Sequence, residues 1–241
     1  MSATRREGEI VLSGPPRNAT AVVPLDIPSE KVVPISISVA DEATIYRAIV
    51  RPFGGGRSEI RLRLPGDTPP GLYRGEGSLG GKPRGIVIEV EADLRLRVQP
   101  RQTILSAPAG SSVEFSLNVL NGGNVPYEVP KTDTFDFDDD TGQDLALGRS
   151  LRAPLSQGER RVDRFFEELR DSHGGQGRVM VKYGAGPLEP GDARELTCVL
   201  EVPAEAREGR TYLGAWQLGN SAHLIVASII GGGRTTNGRV K

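Results

Sequence analysis

The residues best suited to chemistry form an acidic stretch that reads Asp136-Phe-Asp-Asp-Asp-Thr-Gly-Gln-Asp144. Carboxylate oxygens are preferred ligands of Ca²⁺. An EF-hand loop beginning at Asp136 would require glycine at its sixth position, where the chain has Thr141, and a glutamate at its twelfth, which the chain lacks. These departures favour a solvated or partner-facing acidic loop over a calcium site. The candidate metal ligands are Asp136, Asp138 and Asp140.

The two histidines and the single cysteine are placed where structural roles are expected. His173 follows a predicted helix and His223 begins the last predicted strand. Neither has beside it the cysteine, the second histidine or the nucleophile-elbow serine that zinc sites and catalytic triads require. Cys198 lies in an apolar run and is predicted to be a buried thiol. We therefore predict no catalytic residues, no cofactor and no enzymatic activity.

The charge of the chain is balanced, with 30 Lys and Arg against 31 Asp and Glu. Nucleic-acid binding needs a concentrated basic surface, so we expect no nucleic-acid partner. Two predicted strands nevertheless alternate arginine with apolar residues, giving the arginines Arg61, Arg63, Arg95 and Arg97. A solvated outer face is the simpler interpretation. The alternative is a basic stripe that meets an acidic protein or an anionic membrane surface.

Short strands with period-2 alternation predict an all-β fold. Examples are Val33–Val39, Ile60–Leu64 and Gly85–Val90, each bounded by turn-forming residues. The chain has 31 glycines and 18 prolines, which suits many short strands joined by tight turns. This pattern is typical of antiparallel β-sandwiches.

Two blocks of the sequence recur, which predicts a duplicated domain. Residues 28–39 align with residues 108–119, with apolar residues at the same alternate positions, and residues 64–75 parallel residues 202–214. We predict two tandem immunoglobulin-like antiparallel β-sandwiches, the second with an inserted amphipathic helix. The expected boundaries are an N-terminal arm over 1–7, domain 1 over 8–93, domain 2 over 94–230 with an insertion at 131–190, and a C-terminal tail over 231–241.

A resemblance supports this expectation. The motif Leu64-Pro-Gly-Asp-Thr-Pro-Pro-Gly-Leu-Tyr-Arg-Gly75, with the later Gly110-Ser-Ser-Val-Glu-Phe-Ser-Leu-Asn-Val-Leu-Asn-Gly-Gly-Asn124, resembles bacterial and archaeal immunoglobulin-like domains found beside glycoside hydrolases and in surface proteins. The resemblance covers about 30–125 well and 195–230 less closely. It implies a sandwich fold and an accessory or adhesive role. The resembled domains work outside the cell, but the stretch Met1–Glu9 shows no apolar signal sequence. A cytoplasmic location is therefore expected.

The predicted insertion contains the only segment that reads as a helix, residues 156–170. Four apolar residues recur there at helical spacing, and Ser156 with Glu159 forms a capping-box pattern. The apolar residues are Val162, Phe165, Phe166 and Leu169. Such a helix either plugs the end of the sandwich or docks a partner, and the plug is favoured because apolar helix faces are usually buried.

The hypothesis that fits these features is a non-catalytic structural or protein-binding subunit of a larger assembly. One specific version places it on the cytoplasmic face of a membrane complex, photosynthetic or respiratory. The candidate partner-binding residues are Phe165, Phe166, Arg61, Arg63, Arg95, Arg97, Arg234 and Arg239. The alternative is a carbohydrate-binding or adhesive accessory module. That would require exposed aromatic residues in a row, whereas the sole tryptophan, Trp216, lies in an expected core strand.

Overall fold

The computed structural model describes residues 9–39, 42–139 and 142–231. These residues divide into two compact units. The first comprises the described part of Met1–Arg95 together with Asn121–Tyr127 and Glu189–Asp192. The second comprises Leu96–Leu120, Glu128–Leu188 and the described part of Ala193–Lys241. Asp140, Arg234 and Arg239 lie outside the described residues.

The first unit consists of seven strands that hydrogen-bond in a closed circuit in the order β1-β2-β5-β4-β3-β6-β7. Neighbours are antiparallel except β1 and β7, which are parallel. The strands are β1 (Ile10–Gly14), β2 (Ala19–Val23), β3 (Lys31–Val39), β4 (Glu42–Gly54), β5 (Arg57–Leu62), β6 (Gly71–Leu79) and β7 (Lys82–Val90). The predicted alternation is confirmed, because alternate side chains such as Ile60, Leu62 and Ile88 form the core.

The second unit contains an eight-stranded sheet in the order β8-β10-β15-β13-β12-β16-β17-β9, and a two-stranded sheet of β11 and β14. Two helices lie between β12 and β13. The elements are β8 (Leu96–Gln99), β9 (Gln102–Ala107), β10 (Ser112–Asn121), β11 (Tyr127–Val129), β12 (Thr132–Asp139), α1 (Gly142–Arg152), α2 (Arg161–Ser172), β13 (His173–Tyr183), β14 (Gly186–Leu188), β15 (Ala193–Glu201), β16 (Thr211–Leu218) and β17 (Ser221–Ile229).

The two units share one strand order. When β9, β10, β12, β13, β15, β16 and β17 are matched in sequence with β1 to β7, the neighbours in the two sheets coincide, except that β1 pairs with β2 whereas β9 does not neighbour β10. In each unit the first of these strands pairs parallel with the last. The order reproduces the ABED and CFG strand sets of immunoglobulin domains. The predicted all-β fold of two tandem immunoglobulin-like sandwiches is therefore confirmed.

This order corrects one of the two sequence alignments. The match between residues 28–39 and residues 108–119 aligns β3 with β10, but the strand equivalent to β10 is β2. The error arises because period-2 alternation is the same in every half-buried strand. The match between residues 64–75 and residues 202–214 does join equivalent positions, since each precedes the sixth strand of its unit.

A tyrosine fixes the corner before that sixth strand in both units. The Tyr73 hydroxyl donates to the Pro69 carbonyl oxygen at 2.8 Å, and the Tyr212 hydroxyl accepts from the Arg207 backbone N–H at 3.1 Å. Tyrosine corners of immunoglobulin-like sandwiches have this arrangement, in which the hydroxyl bonds the backbone a few residues upstream. The recurring tyrosine in the sequence therefore has a structural role.

Asn124 binds the segment Asn121–Tyr127 to the rest of the first unit. Its Oδ1 accepts from the Asp93 backbone N–H at 2.6 Å, and its Nδ2 donates to the carbonyl oxygens of Thr68 and Glu91 at 3.0 and 2.9 Å. Asn124 is buried, so these bonds satisfy an amide that would otherwise be costly to bury.

The helical part of the second unit differs from the prediction in two ways. The described residues form two helices, and α2 begins at Arg161 rather than at Ser156. Ser156 and Glu159 do bond each other, backbone N–H to carboxylate, at 2.8 Å, but they close a turn. Asp163 instead accepts from the Arg160 backbone N–H, at 3.3 Å, where α2 starts. Within the predicted insertion 131–190, β12 and β13 are strands of the sheet, and the helices lie between them.

Candidate docking surface

The helices α1 and α2 expose an unusual amount of apolar surface. Of the thirteen large hydrophobic side chains exposed among the described residues, five belong to this segment, including Leu151 at 59% and Phe166 at 60% relative exposure. We call these five the helix-pair surface: Leu147, Leu151, Leu155, Val162 and Phe166. Leu147 and Leu151 are four residues apart on α1, and Val162 and Phe166 are four apart on α2. Each pair therefore shares one face of its helix.

Arg161 joins the two helices. Its guanidinium donates from Nη1 to the carbonyl oxygens of Ser150 and Ala153, at 2.5 and 2.7 Å. The last carbonyls of a helix have no partner within the helix, so a cation placed there satisfies them and interacts favourably with the helix dipole. The first residue of α2 thus caps the end of α1.

Charged side chains form a second connection between the helices. Arg149 on α1 lies 3.7 Å from the Glu168 carboxylate on α2, and Arg164 lies 3.4 Å from the same carboxylate. At the start of α2 the Arg160 guanidinium donates to Asp163. That hydrogen bond lowers the pKa of the Asp163 carboxyl and raises that of Arg160. Such exposed pairs orient the helices more than they stabilise them.

The geometry favours the docking interpretation of α2 over the favoured prediction of a plug. The two helices pack mainly against each other, and their contacts with the sheet are concentrated on the adjoining strands β12 and β13. Phe165 is half-buried and its ring lies 5.7 Å from that of Phe166, which is exposed. A plug would bury both rings. Among the described residues, no helix is long and apolar enough to cross a membrane.

The acidic stretch is a strand rather than a loop up to Asp139. Asp136 and Asp138 lie on the exposed face of β12, and Asp138 lies 3.6 Å from the ring of His173. The Asp139 carboxylate accepts from Arg210 at 2.9 Å. Within the described ranges, no three His, Cys, Asp or Glu side chains are grouped as metal ligands. Asp140 lies outside those ranges, so the calcium candidate stays a prediction.

His223 and Cys198 are both in the core of the second unit. The His223 Nδ1–H donates to the Pro100 carbonyl oxygen at 2.9 Å, which leaves Nε2 to accept from the Thr103 hydroxyl at 2.9 Å. Burial lowers the pKa of His223, and the Pro100 hydrogen bond opposes that shift. Burial raises the pKa of the Cys198 thiol to about 12. The predicted buried thiol is confirmed.

The predicted arginines belong to different units. Arg61 and Arg63 lie in the first unit, on or just after β5, and Arg97 lies on β8 of the second. Arg61 pairs with Glu59 at 3.3 Å and Arg95 with Asp93 at 3.0 Å. The carboxylates of Glu59 and Asp93 therefore offset part of the positive charge of the predicted basic stripes.

Sequence reasoning missed the contribution of α1, including Leu147 and Leu151. Their spacing of four residues, followed by Pro154, is a helix signal that could have been used. Gly148 in the middle of the segment weakens that signal because glycine disfavours helix interiors.

Comparisons with known proteins give only remote likenesses. No family model and no curated protein matches the sequence. Solved structures similar to this chain include the titin fragment A168169, at 11% identity over 93% of this chain and 97% of that chain, TM-score 0.31. A protein of unknown function from Porphyromonas gingivalis W83 matches at 10% identity over 92% and 96%, TM-score 0.27. The S-layer protein SbsC, domains 4 and 5, matches at 12% over 71% and 69%, TM-score 0.26. At these values the likenesses carry no argument about function.

Proposed function

We propose that this chain is a non-catalytic protein-binding subunit that docks onto a larger assembly through the helix-pair surface. The observation that carries the proposal is a set of five exposed large apolar side chains, four on α1 and α2 and one, Leu155, on the connection between them. The helix pair is inserted between two neighbouring strands of the sheet. Clustered exposed apolar side chains are a feature of protein–protein and membrane interaction sites. Placement on the cytoplasmic face of a membrane complex remains part of the hypothesis.

The free energy gained by covering the helix-pair surface is large enough for a protein partner to bind. Full burial of one leucine or phenylalanine side chain contributes about 1.5–3 kcal/mol. Because the five side chains are roughly half exposed, covering all of them contributes on the order of 4–8 kcal/mol. Part of this offsets the cost of association, so a partner must cover both helices to bind stably.

Charge favours a protein over an anionic membrane as the occupant. The segment 142–172 carries six arginines and six Asp and Glu residues, so it is neutral. Adsorption to anionic lipid is strengthened by roughly 1 kcal/mol for each unpaired basic residue near the surface. A neutral segment gains little from that field, whereas an apolar centre with mixed charges around it is typical of protein interfaces.

The carbohydrate-binding alternative is weakened by the position of Trp216. Its side chain is 1% exposed, so it cannot stack against a sugar. The large aromatic side chains exposed among the described residues are Phe53, Phe166 and Tyr183, and they lie on three different elements, β4, α2 and β13, rather than in a row. No observation therefore favours this second function.

The proposal is tested by removing the helix pair. Asp138 and His173 are cross-strand partners, so residues 142–172 can be replaced by a short Gly-Ser turn that joins β12 to β13. We expect this variant to fold, by circular dichroism and thermal unfolding, and to capture none of the proteins that the full chain captures from its native extract. Equal capture by the two proteins would contradict the proposal.

A matched control changes a different exposed part of the same protein. The turn between β4 and β5 is Gly55-Gly56, which can be replaced with Asn-Gly without touching the helices. This control is expected to capture the same proteins as the full chain. If the full chain instead self-associates through the helices in sedimentation experiments, the occupant is a second copy and the proposed larger assembly is wrong.

A further inference from the structure

In the closed sheet of the first unit, β1 and β2 are the neighbouring strands that share the fewest residue pairs. Among the described residues these strands pair only at Ser13 and Thr20, near the turn that joins them. On its other side β1 pairs with β7 along its whole length, and β2 pairs with β5 along its whole length. Beyond Ser13 and Thr20, the facing edges of β1 and β2 are therefore not paired with each other.

A cleft of about 630 Å³ lies along these two edges. Its lining includes Ile10 of β1, Ala21 and Val23 of β2, and Leu25. All four are only partly buried, and all four pack against the core of the first unit. The cleft is therefore an opening through which solvent reaches apolar side chains that belong to the core.

The second unit shows what covers the equivalent edge. There β8 lies beside β10, the strand equivalent to β2, and inserts Leu96 and Val98 into the core while Arg97 and Gln99 stay exposed. In the first unit β1 lies beside β2 but pairs with it only at Ser13 and Thr20, and no described strand pairs with the rest of that edge. A segment that fits the cleft therefore needs apolar side chains at alternate positions, as β8 has.

We propose that the cleft between β1 and β2 binds an extended segment of a partner protein. The segment adds to the edge of β2 as β8 adds to β10, and it places alternate apolar side chains over Ile10, Ala21 and Val23. Backbone hydrogen bonds to the strand edge supply affinity in this mode, and the side-chain positions supply specificity. The cleft carries Glu9 and Arg84, of opposite charge, so the segment is selected mainly by its apolar pattern.

The chain's own N-terminal residues lack this pattern. Only two residues, Pro100 and Arg101, separate β8 from β9. By the same spacing, the equivalent of β8 in the first unit would be Thr4-Arg-Arg-Glu7, which contains no apolar residue. A segment from another protein fits the cleft better for this reason.

The proposal is tested with a synthetic peptide of sequence LRLRVQ, which copies residues 94–99. We expect it to bind the full chain saturably and to slow backbone amide exchange at Ile10–Leu12 and Ala21–Val23. A control peptide with aspartate in place of the second leucine and the valine should bind at least ten-fold more weakly. Absence of binding, or protection confined to β10, would overturn the proposal.

Variants of the chain locate the site. Ala21→Glu is expected to weaken peptide binding at least ten-fold, whereas Val32→Glu, on the exposed face of β3, should bind as the wild type does. The exchange measurement uses wild-type protein, so it shows whether the peptide binds at the cleft even if Ala21→Glu fails to fold. Replacing the helix pair should leave peptide binding unchanged, which separates this proposal from the proposed function.

Two further outcomes would assign the cleft to a different occupant and overturn the proposal. If deletion of residues 1–8 tightens peptide binding ten-fold or more, the chain's own arm competes for the cleft. If the wild type dimerises and Ala21→Glu abolishes dimerisation, the occupant is a second copy of this chain. We expect unchanged affinity after the deletion, and no dimer that depends on Ala21.

Discussion

The guanidinium of Arg161 donates a hydrogen bond to the carbonyl oxygen of Ser150 at 2.5 Å. This contact joins the first residue of α2 to the last turn of α1, so the helices depend on each other for their termini. The apolar faces of the pair are left exposed. The contacts between α1 and α2 therefore support the helix pair from within.

Replacing Arg161 with glutamine should loosen the helix pair and spare the sheet. The substitution removes the charged donor from the end of α1, and a hydrogen bond of this kind at a partly exposed site contributes about 1 kcal/mol. Backbone amides of α1 should then exchange about five-fold faster, while those of β15 keep their wild-type rates. Arg152→Gln, which removes the same charge nearby, is the control and should change exchange in α1 less. Equal rates in both variants would contradict the capping role.

Burial of His223 predicts a loss of stability in mild acid. Because its pKa is lowered in the folded chain, the unfolded chain binds the proton more readily. The stabilisation is complete above the ordinary histidine pKa of 6.5 and is lost as pH falls from there toward the folded-state pKa. The slope contributed is at most about 1.4 kcal/mol per pH unit. Urea unfolding followed by fluorescence of Trp216, which lies in the same unit, measures it at pH 7.5 and 5.0.

The variant His223→Gln should lack this part of the pH dependence, while His173→Gln should keep it because His173 is exposed. A pH dependence that is the same in all three proteins would show that His223 is not the group responsible.

Cys198 should be inert in the folded protein. Its thiol is buried and its pKa is raised to about 12, so almost no thiolate exists at pH 8. A disulfide reagent such as DTNB should react only as the second unit unfolds, and in urea it should react completely with one thiol per chain. A cysteine introduced at the exposed Ser156 provides the reactive control. Rapid labelling of Cys198 in the native wild type would contradict this burial.

The two tyrosine corners should contribute different amounts to the free energy of unfolding. Tyr212 is fully buried and its hydroxyl accepts from a backbone N–H, whereas Tyr73 is only partly buried. Tyr212→Phe removes the hydrogen bond of a fully buried tyrosine and should cost about 1–1.5 kcal/mol of unfolding free energy, against roughly 0.5–1 kcal/mol for Tyr73→Phe. Urea unfolding of each unit measures both values. A larger loss for Tyr73→Phe would reverse the expected ranking.

The sequence could predict features that depend on neighbouring residues along a strand. Leu62 and Val98 alternate with arginines in the sequence, which predicts that their side chains face inward, and both are buried. The same alternation could not identify which strand of one unit is equivalent to which strand of the other. Any half-buried strand has the same period, so β3 resembles β10 although β2 occupies the matching place in the sheet.

The exposure of the helix pair could not be predicted from the local sequence pattern. The spacing of Val162 and Phe166 correctly placed them on one face of a helix, but spacing does not reveal whether a sheet covers that face. The start of α2 was misplaced because Ser156 and Glu159 form the hydrogen bond of a capping box while closing a turn. The cleft between β1 and β2 depends on pairing between strands, which no local pattern encodes.

The most direct test of docking through the helix pair compares two phenylalanines of similar exposure. Phe166 in α2 is 60% exposed and Phe53 in the first unit is 55% exposed, so a charge at either position should be tolerated by the fold. With the captured partner purified, the affinity of Phe166→Glu and Phe53→Glu is measured beside the wild type by isothermal titration calorimetry. We expect Phe166→Glu to bind at least thirty-fold more weakly, about 2 kcal/mol, and Phe53→Glu to match the wild type. Wild-type affinity in Phe166→Glu would contradict docking through this surface.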